Sequence, residues 1–388
     1  MLNLRVEQTD NRFMQKRYIS LDVLRGLTVA LMIVVNNPGS WSRIFPFLRH
    51  AAWNGCTPCD LVFPFFLFCV GASMAFALAK FTGIPGPAVR KVLKRGVLLY
   101  LVGLGLTAFP FYPSNMNPEL TFWQNWTEWL GGLRLVGVLA RIAMCYTLGA
   151  ILVLWLRTPK RIAVAIGVLS VIYMSGMLLF AGPEGPFSLE GNFARRVDLA
   201  IFGENHIYQG YGIPFDPEGL WGALTGTCTV LLGYLVGLLI RTSALDGTTQ
   251  TSASADLPAR IFCLSVLSLL AGLILSIWMP ISKPLWSVSY VFYSAGWAMF
   301  VLAFLIYVID VRGYEKIFFP FKALGMNALA LFVVSGLLMK INWRYIGWNY
   351  GAVFGANEYM SLLFAVMYLM LHLILAMFLY KRKIFIKL

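Results

Sequence analysis

The chain has 388 residues, of which 59% are hydrophobic and only 12% are charged. This composition excludes an ordinary soluble globular protein and indicates an integral membrane protein. The formal net charge of +14 would suit a nucleic-acid partner. The basic residues lie mainly in short loops between apolar runs, however, so we predict a lipid bilayer and no nucleic acid as their partner.

Apolar runs of about 17 to 25 residues are long enough to cross a membrane as helices. Such runs recur about ten times, and the alternating strands of a closed barrel are absent from the sequence. We therefore predict an all-α polytopic integral membrane protein with about ten transmembrane helices. The predicted spans are residues 20–37, 60–81, 92–110, 133–156, 161–180, 220–240, 260–279, 286–309, 323–340 and 358–380.

Lys and Arg are distributed unequally between the two ends of these spans. About 21 lie at the end that carries both termini, and about seven lie at the other end. The positive-inside rule therefore predicts that both termini are cytoplasmic and that the loop with His50 faces outward. We expect a multi-pass protein of the bacterial inner membrane.

The chain is organised around one large domain. Residues 1–19 form a polar cytoplasmic lead, which predicts that no signal peptide is cleaved, and residues 20–388 form a single transmembrane domain. The outer loop 181–219 contains an amphipathic segment and is long enough to fold over the outer surface as a lid. The low-complexity stretch 242–258 is predicted to be a cytoplasmic linker.

Several charged residues lie within or beside the predicted spans. Asp22 and Arg25 share a helix face and can neutralise each other. Arg141 lies deep in its span, where an unpaired guanidinium costs at least about 2.5 kcal/mol, so it needs a partner such as Asp60, Asp22 or a bound anion. Lys94 and Arg95 belong to a cytoplasmic basic cluster that suits either lipid headgroups or an anionic cofactor.

A polar hinge between the first two spans carries the best candidates for catalysis. His50 lies ten residues before Asp60, and histidine is the side chain that naturally titrates near neutral pH. In acyl transfer, His50 would take a proton, Asn36 would stabilise the oxyanion and Asp60 would fix the imidazole tautomer. The alternative is an interfacial histidine that only forms hydrogen bonds. The three histidines are far apart, so no metal is expected.

Other outer residues suit a polar substrate. Trp53 can stack on a sugar face, and acidic side chains such as Glu218 can bind hydroxyl or ammonium groups. Asn54 and His206 complete the predicted substrate-binding set. Cys56 and Cys59 form a C-T-P-C motif that permits either an oxidised pair or two free thiols, without the context of a redox enzyme.

The motifs together resemble the heparan-α-glucosaminide N-acetyltransferase family of the transmembrane acyltransferase superfamily. The resemblance extends over essentially the whole chain. It is carried, in order, by Ser20–Leu27, Asn36, His50–Pro64, Gly71–Ser73, Gly137–Arg141, Gly203–Tyr208, Asp216–Gly219, Leu285–Tyr290 and Gly325–Asn327.

The resemblance implies an enzyme that moves an acetyl group from cytoplasmic acetyl-CoA to the amine of a glucosamine on the far side of the membrane. It places His50 at the catalytic position, with Asn36 and Asp60 at neighbouring functional positions, and it suggests a homodimer. The chain starts almost at the first shared span, so we expect it to lack the lumenal N-terminal domain and the additional first helix of the animal enzymes. Ala140 replaces an expected Gln.

The sequence therefore predicts a single transmembrane acyltransferase domain in which Lys94, Arg95 or Arg141 holds the anionic end of acetyl-CoA. The acceptor would reach His50 beneath the loop 181–219. Direct transfer and an acetyl-histidine intermediate both fit the residues. Two alternatives are a membrane O-acyltransferase of a cell-envelope saccharide and a secondary transporter, although a transporter would be expected to show related halves.

Overall fold

The structure is a computed structural model that describes residues 18–81, 85–113, 116–245 and 256–386. Residues 1–17 of the predicted lead and 246–255 of the predicted linker lie outside these ranges. The α-helices of the described ranges are α1 (Ile19–Asn36), α2 (Pro58–Ala77), α3 (Pro85–Ala108), α4 (Phe122–Gly131), α5 (Val138–Leu156), α6 (Pro159–Leu179), α7 (Phe193–Phe202), α8 (Trp221–Leu245), α9 (Asp256–Leu275), α10 (Val288–Leu305), α11 (Phe319–Met326), α12 (Ala328–Ile341), α13 (Tyr350–Phe354) and α14 (Glu358–Lys381).

Within the described ranges, nine helices are long and apolar enough to cross a membrane. This confirms the predicted class, an all-helical polytopic membrane protein. The predicted span 92–110 is also helical, but α3 begins at Pro85 and carries several cations in its first three turns. Its continuous apolar stretch is therefore confined to its second half, which explains why α3 is not one of the nine.

Close packing of α2 against α8 holds the centre of the molecule. A Cβ atom on Gly71 of α2 would lie 1.8 Å from the carbonyl oxygen of Val230, and one on Gly233 of α8 would lie 2.1 Å from that of Phe68. Only glycine permits the two backbones to approach so closely. The small-residue step at Gly71–Ser73 thus has a packing role between the two helices.

The predicted ion pair on α1 is also present. The guanidinium of Arg25 lies 3.3 Å from the carboxylate of Asp22, and it also donates to the hydroxyl of Ser73 on α2. The pair therefore joins α1 to α2 as well as balancing charge.

Several loops meet at the end of the bundle where α2 begins. The backbone N–H of Gly55 donates to Ile281 at 2.7 Å, the indole of Trp53 donates to the carbonyl of Phe187 at 2.7 Å, and the N–H of Leu135 donates to His206 at 3.0 Å. The loops 37–57, 132–137, 181–220 and 276–287 form a surface that we call the mouth. The amphipathic segment of the long loop is the helix α7, as its pattern predicts.

Candidate active site

The start of α2 fixes the position of Asp60. Thr57 is the N-cap, Pro58 occupies the first helical turn and Asp60 is the third helical residue. The carboxylate of Asp60 reaches back to accept from the backbone N–H of Thr57 at 3.0 Å, which is the capping-box arrangement. The C-T-P-C stretch is therefore a helix start that holds a carboxylate at the mouth.

His50 and Asp60 form a directed pair. His50 Nδ1 lies 2.7 Å from Asp60 Oδ1, and Oδ2 of Asp60 accepts from the backbone N–H of Ala51 at 3.0 Å. Because an ionised carboxylate only accepts, Nδ1 of His50 carries the proton and Nε2 keeps a free lone pair. The His50 side chain is 51% exposed, whereas that of Asp60 is 0% exposed. A buried carboxylate thus orients an accessible base.

Two further residues contact His50. Lys283 Nζ lies 3.0 Å from Nδ1 and 3.1 Å from Nε2 of the imidazole, and the sulfur of Cys59 lies 3.2 Å from Nδ1. Sequence patterns did not identify Lys283 as a site residue. The signal that could have found it was its position in the short loop immediately before the Leu285–Tyr290 motif, at the end of the protein with few cations.

Cys56 and Cys59 are free thiols in the structure, so the possible oxidised pair is not formed. Burial, reinforced by the charge of Asp60, raises the pKa of the Cys56 thiol to about 12. A thiol with such a pKa is protonated at neutral pH and is a poor nucleophile. The surroundings of Cys56 therefore do not activate its thiol as a nucleophile.

Asn36 is placed apart from the His50 pair. Its side chain is exposed at the end of α1 and lines a cavity of about 350 Å³ together with Trp41, Lys340 and Tyr350. In the described part of the chain, no hydrogen bond joins Asn36 to His50 or Asp60. The structure therefore leaves the predicted oxyanion role of Asn36 without a supporting contact.

Arg141 is buried and is held by backbone carbonyls and an aromatic ring. It is 1% exposed, and its guanidinium lies 5.2 Å from the ring centre of Trp286. Its expected partner was a carboxylate or a bound anion, but the actual partners are backbone carbonyls at the start of α8. The acceptors are Pro217, Glu218, Gly219 and Gly222, at 2.9 to 3.3 Å. These contacts satisfy the buried cation without a ligand and favour an architectural role over cofactor binding.

Lys94 and Arg95 line an open cavity on α3. The cavity has a volume of about 910 Å³ and is also lined by Arg90 and Lys91. The guanidinium of Arg95 lies 4.8 Å from the ring centre of Tyr146. Its Nε is buried without a hydrogen-bond partner in the described ranges. We call this the basic cavity; its cations are arranged to accept an anionic group.

The predicted substrate-binding residues fall into two groups. Trp53, His206 and Glu218 anchor the long loop: the Trp53 indole donates to Phe187 at 2.7 Å, His206 Nδ1 lies 2.8 Å from the carbonyl oxygen of Leu133, and buried Glu218 accepts from Arg134. Asn54, in contrast, is exposed beside the mouth. The structure thus gives the first group a role in holding the loop and leaves Asn54 accessible.

Comparisons with known proteins agree with these motifs. Residues 17–182 match the family model described as heparan-alpha-glucosaminide N-acetyltransferase, catalytic. The chain is 25% identical over 424 residues to the heparan-alpha-glucosaminide N-acetyltransferase of Mus musculus, which covers 95% of this chain and 60% of the relative. It is 25% identical over 376 residues to that of Homo sapiens, with 82% and 52% covered.

The chain therefore spans between about half and three fifths of the length of these curated relatives. The matched family region contains the helix start at Asp60, the His50 pair and Arg141. These matches confirm the resemblance that the motifs predict: the chain is a relative of the heparan-alpha-glucosaminide N-acetyltransferases.

Proposed function

We propose that this chain is a transmembrane N-acetyltransferase that moves an acetyl group from acetyl-CoA to the amine of a glucosamine-type sugar. The observation that carries the proposal is the His50–Asp60 pair, an exposed imidazole oriented by a buried carboxylate at 2.7 Å. Such a pair can remove a proton from an attacking amine. The names of the relatives supply the acceptor class.

His50 acts through Nε2, whose lone pair is free because Nδ1 donates to Asp60. In direct transfer, Nε2 removes the proton of the acceptor amine as the amine attacks the acetyl carbonyl. In stepwise transfer, Nε2 itself carries the acetyl group before the amine receives it. Both routes use the same geometry, since each requires a neutral imidazole with an accessible Nε2.

The donor binds through the basic cavity. Acetyl-CoA carries several phosphate charges, and Lys94 and Arg95 offer cations in a cavity of about 910 Å³. Arg95 lies against Tyr146, near the middle of α5, so one cation of the cavity packs against a neighbouring helix. In this proposal, the acetyl end of the donor passes from the cavity through the bundle to His50. Arg141 takes no part in this proposal, because it is buried and four of its five N–H donors already bind backbone carbonyls.

The two ends of the protein face different compartments in this proposal. The basic end lies in the cytoplasm, where the positive-inside rule places it and where acetyl-CoA is made. The mouth then opens to the periplasmic side of a bacterial inner membrane. An acceptor sugar approaches His50 past the exposed Asn54, beneath the loop that Trp53, His206 and Glu218 hold in place.

The test is CoA release by the purified protein in nanodiscs, with acetyl-CoA and glucosamine as substrates. We expect acceptor-dependent release that falls by about 100- to 10,000-fold in His50→Ala. The matched control is His372→Ala, which removes a buried histidine of α14 far along the chain from the mouth and leaves the base intact. Release that is independent of the acceptor, or unchanged in His50→Ala, would contradict the proposal.

Acceptor choice separates this function from its nearest alternative. A membrane O-acyltransferase would release CoA with hydroxyl acceptors and not with the amine of glucosamine. N-acetylglucosamine, which has the same hydroxyls but no free amine, is the matched acceptor. Release with glucosamine and not with N-acetylglucosamine is the expected result, and release with both sugars, or with N-acetylglucosamine alone, would assign the chain to O-acylation.

A further inference from the structure

Lys283 is the cation nearest to the proposed reacting atoms. Its Nζ lies 3.0 and 3.1 Å from the two ring nitrogens of His50 and 3.7 Å from Asp60 Oδ1. The side chain is only 16% exposed. An ammonium in such a position is partly shielded from water, so its effect on a neighbouring charge is stronger than that of a surface lysine.

The loop that carries Lys283 is fixed to the loop that carries His50. Ile281 accepts a backbone hydrogen bond from Gly55 at 2.7 Å, and the hydroxyl of Ser282 donates to the carbonyl of Trp53 at 2.9 Å. These contacts lie directly beside Lys283 in the chain. They place its side chain against the imidazole before any substrate binds, so little ordering remains to be done during the reaction.

The distances show where the ammonium lies relative to the ring. An atom on the lone-pair axis of Nε2 would be much farther from Nδ1 than from Nε2. Since Lys283 is almost equally distant from both nitrogens, it lies to the side of that axis. The Nε2 lone pair can therefore reach a substrate while the ammonium stays next to the same substrate atoms.

We propose that Lys283 is a further catalytic residue that stabilises the oxygen of the acetyl carbonyl as negative charge develops on it; this rests on the proposed function. The acceptor nitrogen bonds to the acetyl carbon, and the carbonyl electron pair moves to the oxygen beside the ammonium of Lys283. His50 Nε2 takes the proton of the amine. The carbon–sulfur bond then breaks, the carbonyl re-forms, and the CoA sulfur leaves with the proton from His50.

This assignment gives the site a charge stabiliser that Asn36 does not provide in the structure. Asn36 lines a cavity that does not include His50, whereas Lys283 contacts the His50 imidazole directly. A preorganised donor aimed at developing charge typically contributes about 100- to 1,000-fold to the rate. The competing explanation is that Lys283 only balances the buried charge of Asp60. In that case it would affect folding but not the chemical step.

The test compares Lys283→Met, Lys283→Arg and Lys160→Met with the wild type. CoA release with glucosamine gives kcat and KM, and thermal unfolding in detergent reports folding. We expect Lys283→Met to lower kcat by about 100- to 1,000-fold with little change in the KM for acetyl-CoA, and Lys283→Arg to keep at least about a tenth of the wild-type kcat. Lys160→Met, which removes an exposed lysine at the start of α6 and leaves the mouth intact, should retain kcat within about threefold.

The experiment distinguishes a failure of the Lys283 role from a failure of the proposed function. An unchanged kcat in folded Lys283→Met, or a loss that appears only in KM, would overturn the role of Lys283 and leave the proposed function standing. A wild type without acceptor-dependent release would overturn both. If Lys283→Met does not fold, Lys283→Gln, which keeps a hydrogen-bond donor and a polar side chain, is measured in its place and should again lose kcat.

Discussion

The mouth and the basic cavity differ in how far their charged groups are already paired. At the mouth, buried Asp60 accepts from His50 and from the backbone N–H groups of Ala51 and Thr57. In the basic cavity, Lys94 is exposed and the Nε of Arg95 has no hydrogen-bond partner within the described ranges. The mouth is preorganised before substrate binds, whereas the cavity offers cations that an anionic ligand would pair.

This difference predicts different consequences for the loss of a charge. A substitution at the mouth should affect the chemical step, because its groups orient one another. A substitution in the basic cavity should affect donor affinity, because its groups await a ligand. A third class, represented by Arg141, should affect only folding.

The largest effect is expected for Asp60→Asn. The carboxamide has nearly the same shape, but it can no longer impose the imidazole tautomer that keeps the Nε2 lone pair free. We expect kcat for acetyl transfer to fall by about 1,000-fold or more, measured in single turnovers with acetyl-CoA already bound. Retained acetyl-CoA binding is the control, and a kcat within about threefold of the wild type would contradict the preorganised mouth.

Arg141→Met should reduce stability. Four backbone carbonyls at the start of α8 would lose their donor in a buried region. Each unsatisfied buried acceptor costs about 1–3 kcal/mol, and partial relaxation leaves an expected loss of about 2–4 kcal/mol in the free energy of unfolding. Thermal and denaturant unfolding in detergent measure this loss. An unchanged stability with weaker acetyl-CoA binding would instead return Arg141 to the cofactor site.

Arg95→Met should show the opposite pattern. It removes one charge-assisted contact to a phosphate group of the donor and should raise the KM for acetyl-CoA by about tenfold, with kcat at saturation nearly unchanged. Its unfolding temperature should fall only slightly, because Arg95 loses its contact with Tyr146 but its Nε has no hydrogen-bond partner among the described residues. Exposed Arg196, on α7 within the long loop, gives the matched control as Arg196→Met. Equal KM values for both variants would remove the basic cavity from the proposal.

The last expected effect is seen only as a change of stability with pH, and it concerns a carboxyl of the long loop that lies outside the spans. Burial, with a further contribution from the charge of Asp216, raises the pKa of Asp198 to about 7, although a hydrogen bond from the backbone N–H of Leu220 opposes the shift. In the unfolded chain this carboxyl ionises near pH 4. The unfolded state therefore loses its proton first, and the free energy of unfolding falls as the pH rises from about 4 to about 7.

Asp198→Asn tests this dependence. The free energy of unfolding of the variant should depend less on pH between about 5 and 8 than that of the wild type. The difference amounts to at most about 1.4 kcal/mol for each pH unit that separates the folded and unfolded pKa values of Asp198. Unfolding temperatures of both proteins at several pH values give the comparison. Identical pH profiles would show that Asp198 is ionised in the folded loop.

Some features of the fold and the site follow from short stretches of sequence. The spans could be predicted because each apolar run must be long enough to cross the hydrocarbon core, irrespective of its neighbours. The Asp22–Arg25 pair could be predicted because residues three apart share a helix face. The His50–Asp60 pair could be proposed because both residues belong to one hinge, and its family resemblance gave each a role.

Other features depended on which helices and loops are neighbours in space. Lys283 is 233 residues from His50, and neither hydrophobic periodicity nor motif spacing in the sequence predicts that their loops meet. Arg141 was recognised as a buried cation, but its partners are backbone carbonyl oxygens near the start of α8, and every residue has such a carbonyl. Sequence therefore determined the spans and the His50–Asp60 pair, where local constraints are sufficient, and tertiary structure decided the other partners, because long-range contacts depend on the packing of the entire bundle.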